Sequence, residues 1–347
     1  DQGLLVNEER RYRPRLHRGV KKLARPLLLE LERAWDQFEE PLDRIETVVH
    51  DLATGQGGFE GVSPDHFLAP GIPRVRPVLV LLATKAAGGG DTEAADAAFS
   101  AELLHRAIKA HDKALGRQDG RRRRIARRLI GGAAHWLSGH HLTLRALEVA
   151  RAAPAPELMG EVLDAMREIC EGHQLAEDLR DRDASEQDYR DYAEGHIGAI
   201  YSFCGRSGAR LAGADPQVVG ALGRYGRRMG VAWHAMEDAW TLNLPDDELV
   251  SVLARHAATG RPMLPLIAGM HADPEVDPLL DHILATGELA SAAELRQRLL
   301  QAGGLFATKR MMAEESLGAR RALRELDPSE ARETLDRIAS SLARSAA

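Results

Sequence analysis

The chain has 347 residues, 44% hydrophobic but only 4% aromatic, and its 46 Lys and Arg against 52 Asp and Glu leave a net charge of −6. That balance excludes a global basic field able to hold nucleic acid, so any anion site has to be local. The longest apolar run, VLVLLA at 78–83, is far short of the roughly 20 residues that a membrane-spanning helix needs.

Runs rich in Val, Ile and Thr are scarce beside Ala, Leu, Arg and Glu, which predicts an all-α protein on propensity. Residues 1–20 lack an apolar signal core, do not begin with Met, and read as a loosely ordered extension. From about 26 to 53 apolar positions recur at helical spacing until GQGG at 55–58. RPVLVLLATKAAGGG reads as a buried helix stopped by three glycines. The segment DTEAADAAFSAELLHRAIKAHDKALG opens with an Asp-Thr cap and runs about seven turns to Gly116. Further helices are expected at about 123–152, 156–182, 187–213 and 216–243, then shorter ones bounded by TGRP, ADPEVDP, TGE and LDPSE. With no long polar linker and no solenoid repeat, residues 1–347 are expected to form one domain. Cys170 and Cys204 are too few for a disulfide framework and are expected as buried small hydrophobes of a protein in the reducing cytoplasm.

Six landmarks then occur in order: GIPRVRP at 71–77, ELLHRAIKAHD at 102–112, YRDYAEGHIGA at 189–199, YGRRMGVAWHAMEDAW at 225–240, GRPMLPL at 260–266 and ALRELDPSEARETL at 322–335. Together they resemble the trans-isoprenyl diphosphate synthases, the polyprenyl synthetase family, from about residue 20 onward. The resemblance implies a single large helical bundle of the isoprenoid synthase type. It also implies a homodimer, or a heterodimer with a related synthase, and an isoprenoid diphosphate or related lipid as ligand. In that family two aspartate-rich motifs on facing helices hold Mg²⁺, because Asp at i, i+1 and i+4 sets three carboxylates near one side of a helix end. The metals neutralise the leaving diphosphate while Lys and Arg hold the second substrate.

The match fails at the metal motifs. Asp112 keeps position i of the first, but Lys113 and Gly116 stand where the other two carboxylates belong; the second reads Glu237, Asp238 and Thr241. Three carboxylates of six remain and Lys113 adds one positive charge, so the expected site charge falls from about −6 to about −2, and like charges about 4 Å apart repel by roughly 4 kcal/mol. A Mg²⁺ cluster is therefore not expected, and no cofactor is assigned; the alternative is altered Mg²⁺ use. Lys113 reads either as a built-in cation pairing with Glu237 or Asp238 or as a solvent-facing lysine.

Where the family carries lysine this chain has Pro73, His196 and Arg261, and Ile197 replaces the threonine after the second of these. His234 replaces a glutamine, SGHH brings His140 and His141, and His173 precedes Gln174, which keeps the family's Gln-x-x-Asp-Leu spacing with Glu177. His140, His141, His196 and His234 read as polar lining of a remodelled cavity or, with Glu237 and Asp238, as ligands for Zn or Fe. His105 reads as a hydrogen-bonded core histidine, and Trp233 and Trp240 as core. Arg76, and Arg121 and Arg122 nine and ten residues after Asp112, match the family's diphosphate-binding arginines, the last two alternatively as part of a solvated four-arginine face. Ala107, five residues before Asp112, is small where short-chain members cap the product tunnel, leaving that tunnel either open or filled by other side chains. The expected function is a noncatalytic partner, regulator or isoprenoid binder; the alternative is an active transferase or lyase with an altered metal site.

Overall fold

The computed structural model describes residues 18–53, 75–115, 125–179 and 183–345, and every regular element among them is helical. The order begins α1 (Arg18–Asp36), α2 (Glu39–Ala53), α3 (Val75–Ala86), α4 (Asp91–Leu115), α5 (Ile125–Ala152), α6 (Glu157–Leu179) and α7 (Glu186–Ala193). A π-helical turn, Glu194–Gly198, joins α7 to α8 (Ala199–Leu211), and α9 (Pro216–Thr241) follows. Then come α10 (Asp246–Thr259), α11 (Leu264–Ala272), α12 (Val276–Thr286), α13 (Leu289–Gln301), α14 (Gly304–Ala322), a 3-10 turn at Leu323–Glu325 and α15 (Glu330–Arg344).

The all-α expectation holds, with two differences in the helices. Residues 26–53 belong to two helices, because the chain turns where Phe38, only 2% exposed, swings into the core. Residues 187–213 are interrupted by the π turn. Local chemistry explains the boundaries. Ser185 and Asp188 form a reciprocal capping box at α7, Pro216 sits in the first turn of α9, and Gly88 and Gly260 adopt left-handed φ values of 88° and 66° after α3 and α10. Most of the N-terminal extension expected over 1–20 lies outside the described residues.

The core is built around α9, which packs against both α8 and α14, while α3 and α4 close on the other side of α8. Val75 to Thr84 of α3 are buried without exception, as the apolar run predicts. A smaller apolar cluster that includes Leu249, Leu253, Leu295 and Leu299 ties α10 to α13. Helices α8 and α9 meet backbone to backbone: a Cβ added to Gly226 would lie 2.0 Å from the Tyr201 carbonyl oxygen and 2.6 Å from its carbon. Gly226→Ala should therefore force the helices apart and lose about 1–3 kcal/mol. On the same helix, Gly220→Ala would meet only the flexible Arg224 tip at 3.2 Å, and replacing a helix-interior glycine should stabilise by about 0.5–1 kcal/mol. Urea midpoints of the two variants measure the contrast, and equal midpoints would contradict it.

Candidate functional site

The site is assembled where α3, α4, α6, the π turn and α9 converge with the start of α11. Gly260 caps α10 in the left-handed conformation and turns the chain so that the next residue, Arg261, reaches α4. Arg261 Nη1 donates to Asp112 Oδ2 at 3.0 Å, with side chains only 10% and 8% exposed. The other oxygen, Oδ1, lies 3.4 Å from His173 Nε2 and 3.7 Å from His196 Nε2.

Those two histidines meet because α6 touches the π turn through glycines: a Cβ on Gly172 would stand 2.6 Å from the Gly195 carbonyl carbon. The neighbouring rings, His173 and His196, pack edge to face with centroids 4.8 Å apart. Burial works to raise the Asp112 pKa, but the Arg261 guanidinium and the two imidazoles outweigh it and hold the carboxyl well below its usual range. Burial pushes His196 down to about 3, so this ring is neutral. Burial also lowers His173, yet its contact with Asp112 reverses the effect and leaves it above the ordinary histidine value.

On the facing helix, Asp238 is 2% exposed and its Oδ2 accepts the backbone N–H of Leu264 at 3.0 Å. It supplies a cap that α11 lacks locally, since Met263 at the N-cap position offers no side-chain acceptor. Burial drives the Asp238 carboxyl up to about 7, against the lowering influence of the Leu264 N–H and the Tyr189 phenol. Glu237 accepts from Trp233 Nε1 at 3.2 Å, one turn back on its own helix, and the Thr241 hydroxyl donates to the Glu237 carbonyl at 3.0 Å.

Cations share this interior. The Arg76 side chain, 7% exposed, lies 5.3 Å over the Tyr201 ring, and its Nε has no hydrogen-bond partner. Lys109 is one turn before Asp112. Burial holds its pKa below normal, and it lies within electrostatic reach of Glu237, Arg261, Asp112 and Arg76. The Tyr192 and Tyr201 hydroxyls and both ring nitrogens of His234 are likewise buried without partners. A hard divalent cation needs free carboxylate oxygens. Here Arg261 takes one oxygen of Asp112, one oxygen of Asp238 caps a helix while burial pushes that carboxyl up to about 7, and Trp233 donates to one oxygen of Glu237, so few carboxylate oxygens are left. With Arg76, Lys109 and Arg261 beside them, these donors do not fit a Mg²⁺ cluster.

The remaining sequence-predicted residues scatter. Ala107 is buried at 3% in the apolar core, and His234 packs against Tyr189 and Tyr192 with centroids 5.4 and 5.5 Å away. Gln174 is exposed, so helical phase presents its neighbour His173 to the site instead. His140 is also exposed; its Nδ1 contacts the Trp136 carbonyl at 2.8 Å and its ring sits 5.3 Å from His111. The expected ligand group of His140, His141, His196 and His234 with Glu237 and Asp238 is thus not brought together. Among the described residues the potential metal ligands that converge are Asp112, His173 and His196. Trp233 and Trp240 are core residues, at 2% and 6% exposure, and Cys204 is buried, but Cys170 is exposed, contrary to expectation. His105 is held in a buried setting that lowers its pKa, and its Nδ1 has no hydrogen-bond partner. Pro73, Gly116, Arg121, Arg122 and the Lys113 side chain lie outside the described residues, so the cation seen on a motif carboxylate is Arg261. Lys109 and the Tyr189–Tyr192 pair went unread, although a lysine three residues before Asp112 on an apolar helix was a visible signal.

The all-helical fold, with its charged site buried inside the bundle, is shared with solved isoprenoid synthases. Residues 63–301 match the polyprenyl synthetase family, and the chain belongs to it. It is 27% identical over 282 residues to the short chain isoprenyl diphosphate synthase of Methanothermobacter thermautotrophicus, covering 79% of this chain and 87% of that one. Its fold is similar to that of geranylgeranyl pyrophosphate synthase from Lactobacillus brevis, with a TM-score of 0.73, 20% identity and 89% and 98% of the two chains covered. A polyprenyl synthase from Caulobacter crescentus, solved with calcium and isoprenyl diphosphate, gives a TM-score of 0.71 at 23% identity over 94% and 97%. Among the described residues no helix is long and apolar enough to cross a membrane.

Proposed function

We propose that this family member binds an isoprenoid diphosphate, or a related lipid with an anionic head, through protein cations, and does not run the Mg²⁺-dependent condensation. In this reading it acts as a noncatalytic partner, regulator or ligand binder, alone as a homodimer or with a related synthase. The observation that carries it is the Arg261–Asp112 ion pair: a guanidinium bonds the one carboxylate that survives in the first metal motif. Arg76 and Lys109 add charge for an anionic head, and each buried CH₂ of a prenyl tail contributes about 0.8 kcal/mol. A second reading, an active transferase or lyase with an altered metal site, draws on the names of the relatives, which are synthases.

Binding of farnesyl and geranylgeranyl diphosphate in EDTA tests the first reading. The wild-type protein should bind, and Arg76→Ala should weaken binding by about tenfold, as expected for losing a hydrogen bond to a charged group. Product from labelled isopentenyl diphosphate with Mg²⁺ would establish the second reading. Absence of binding in EDTA, or binding indifferent to Arg76→Ala, would remove the ligand-binding version.

A further inference from the structure

Three donor atoms from three elements meet beside Arg261. They belong to Asp112 on α4, His173 on α6 and His196 in the π turn, and all lie within 4.8 Å of one another. Two imidazoles with one carboxylate form a donor set for borderline transition metals, not for Mg²⁺.

Two of the donors are held by hydrogen bonds from their far side, and the third by ring stacking. His173 Nδ1 is 2.9 Å from the Ile169 carbonyl. A carbonyl only accepts, so Nδ1 carries a proton and Nε2 is the coordinating nitrogen of the neutral ring. Asp112 Oδ2 is held by Arg261, which leaves Oδ1 facing the two imidazoles. His196 is fully buried with neither nitrogen hydrogen-bonded, an arrangement that costs free energy unless a ligand completes it. Tyr192 stacks on its ring at 5.2 Å and 17°, fixing its plane. The π turn that carries His196 is itself a backbone feature frequent at functional sites. Donors about 2.1 Å from a tetrahedral ion stand about 3.4 Å apart. The 3.4 and 3.7 Å separations from Asp112 Oδ1 already approach that geometry.

We propose that Asp112, His173 and His196 form a mononuclear site for a divalent ion of the zinc class. The three protein ligands leave a fourth position for an oxygen of solvent or of an anion. The site does not depend on whether the protein turns over prenyl diphosphates.

The test is Co²⁺ titration of the EDTA-stripped full chain, followed by visible absorption, with Zn²⁺ and Mg²⁺ as competitors. One Co²⁺ per chain should bind with the intense spectrum of a four-coordinate nitrogen–oxygen site, and Zn²⁺ but not millimolar Mg²⁺ should displace it. His173→Ala and His196→Gln should each weaken binding by at least the tenfold or so that even an outer-shell change costs. His282→Gln, at a surface histidine 2.9 Å from Glu288, should leave it unchanged. His173 is 25% exposed, so its alanine variant keeps the test valid if the buried His196 variant fails to fold, as circular dichroism would show. A weak six-oxygen Co²⁺ spectrum, equal competition by Mg²⁺, or affinity unaltered in folded His173→Ala would overturn the proposal.

Discussion

Replacing Arg261 by alanine in metal-stripped protein is expected to cost about 3–5 kcal/mol at neutral pH, the usual penalty for leaving one partner of a buried pair uncompensated. The wild-type guanidinium bonds Asp112 at 3.0 Å, and the two side chains are 10% and 8% exposed, so water cannot replace the lost cation readily. The pH dependence has a definite sign. Burial raises the Asp112 pKa and Arg261, with the imidazoles, lowers it further than burial raises it, so the folded carboxyl titrates below its ordinary 3.8. In the wild type the stabilisation is present above that ordinary value and is lost as pH falls through the depressed one. Without Arg261 burial prevails, and the gap between variant and wild type should narrow on acidification. Adding Asp112→Asn should recover part of the loss by removing the stranded charge. Urea unfolding of the wild type and the two variants measures this, and an Arg261→Ala change smaller than about 1 kcal/mol, the value of an exposed pair, would show that the pair is effectively solvated.

Asp238→Asn should produce the opposite pH signature. Burial raises the folded carboxyl to about 7 from 3.8, so between those values the native state keeps a proton that the unfolded chain has released, and stability falls as pH rises. The roughly three-unit difference corresponds to on the order of 4 kcal/mol, fully expressed above the folded value. Asparagine keeps an oxygen for the Leu264 N–H and removes the ionisation. The variant should gain on the wild type from pH 5 to pH 8, and Asp238→Ala, which removes the ionisation but also the cap, should be less stable than Asp238→Asn at both. Parallel stability curves for Asp238→Asn and wild type would contradict the assigned burial cost.

These two residues mark how far the sequence could be read. Helix punctuation was legible because Gly88, Gly260 and Pro216 act within one turn of chain, and the motif order identified the fold. The π turn was not, since the two glycines of EGHIG mark a weak stretch of helix without specifying its register, and the approach of Gly195 to Gly172 exists only in the packed fold. The motifs placed Asp112, Asp238 and Arg261 by position, but not their partners. Arg261 is 149 residues from Asp112 and Leu264 is 26 from Asp238, contacts fixed only by packing. Helical phase decided the histidines: one step along α6 separates the exposed Gln174 from His173, and His140 turned outward beside Trp136.

The central claim is that protein cations, not Mg²⁺, neutralise this site. Thermal unfolding with a bisphosphonate, a stable mimic of the diphosphate, measured in Mg²⁺ and in EDTA, tests it most directly. A ligand that binds only the native state raises the melting temperature with its concentration by mass action. The expected result is the same shift in both buffers; a concentration-dependent rise confined to the Mg²⁺ samples would mean that Asp112, Glu237 and Asp238 still assemble a metal site.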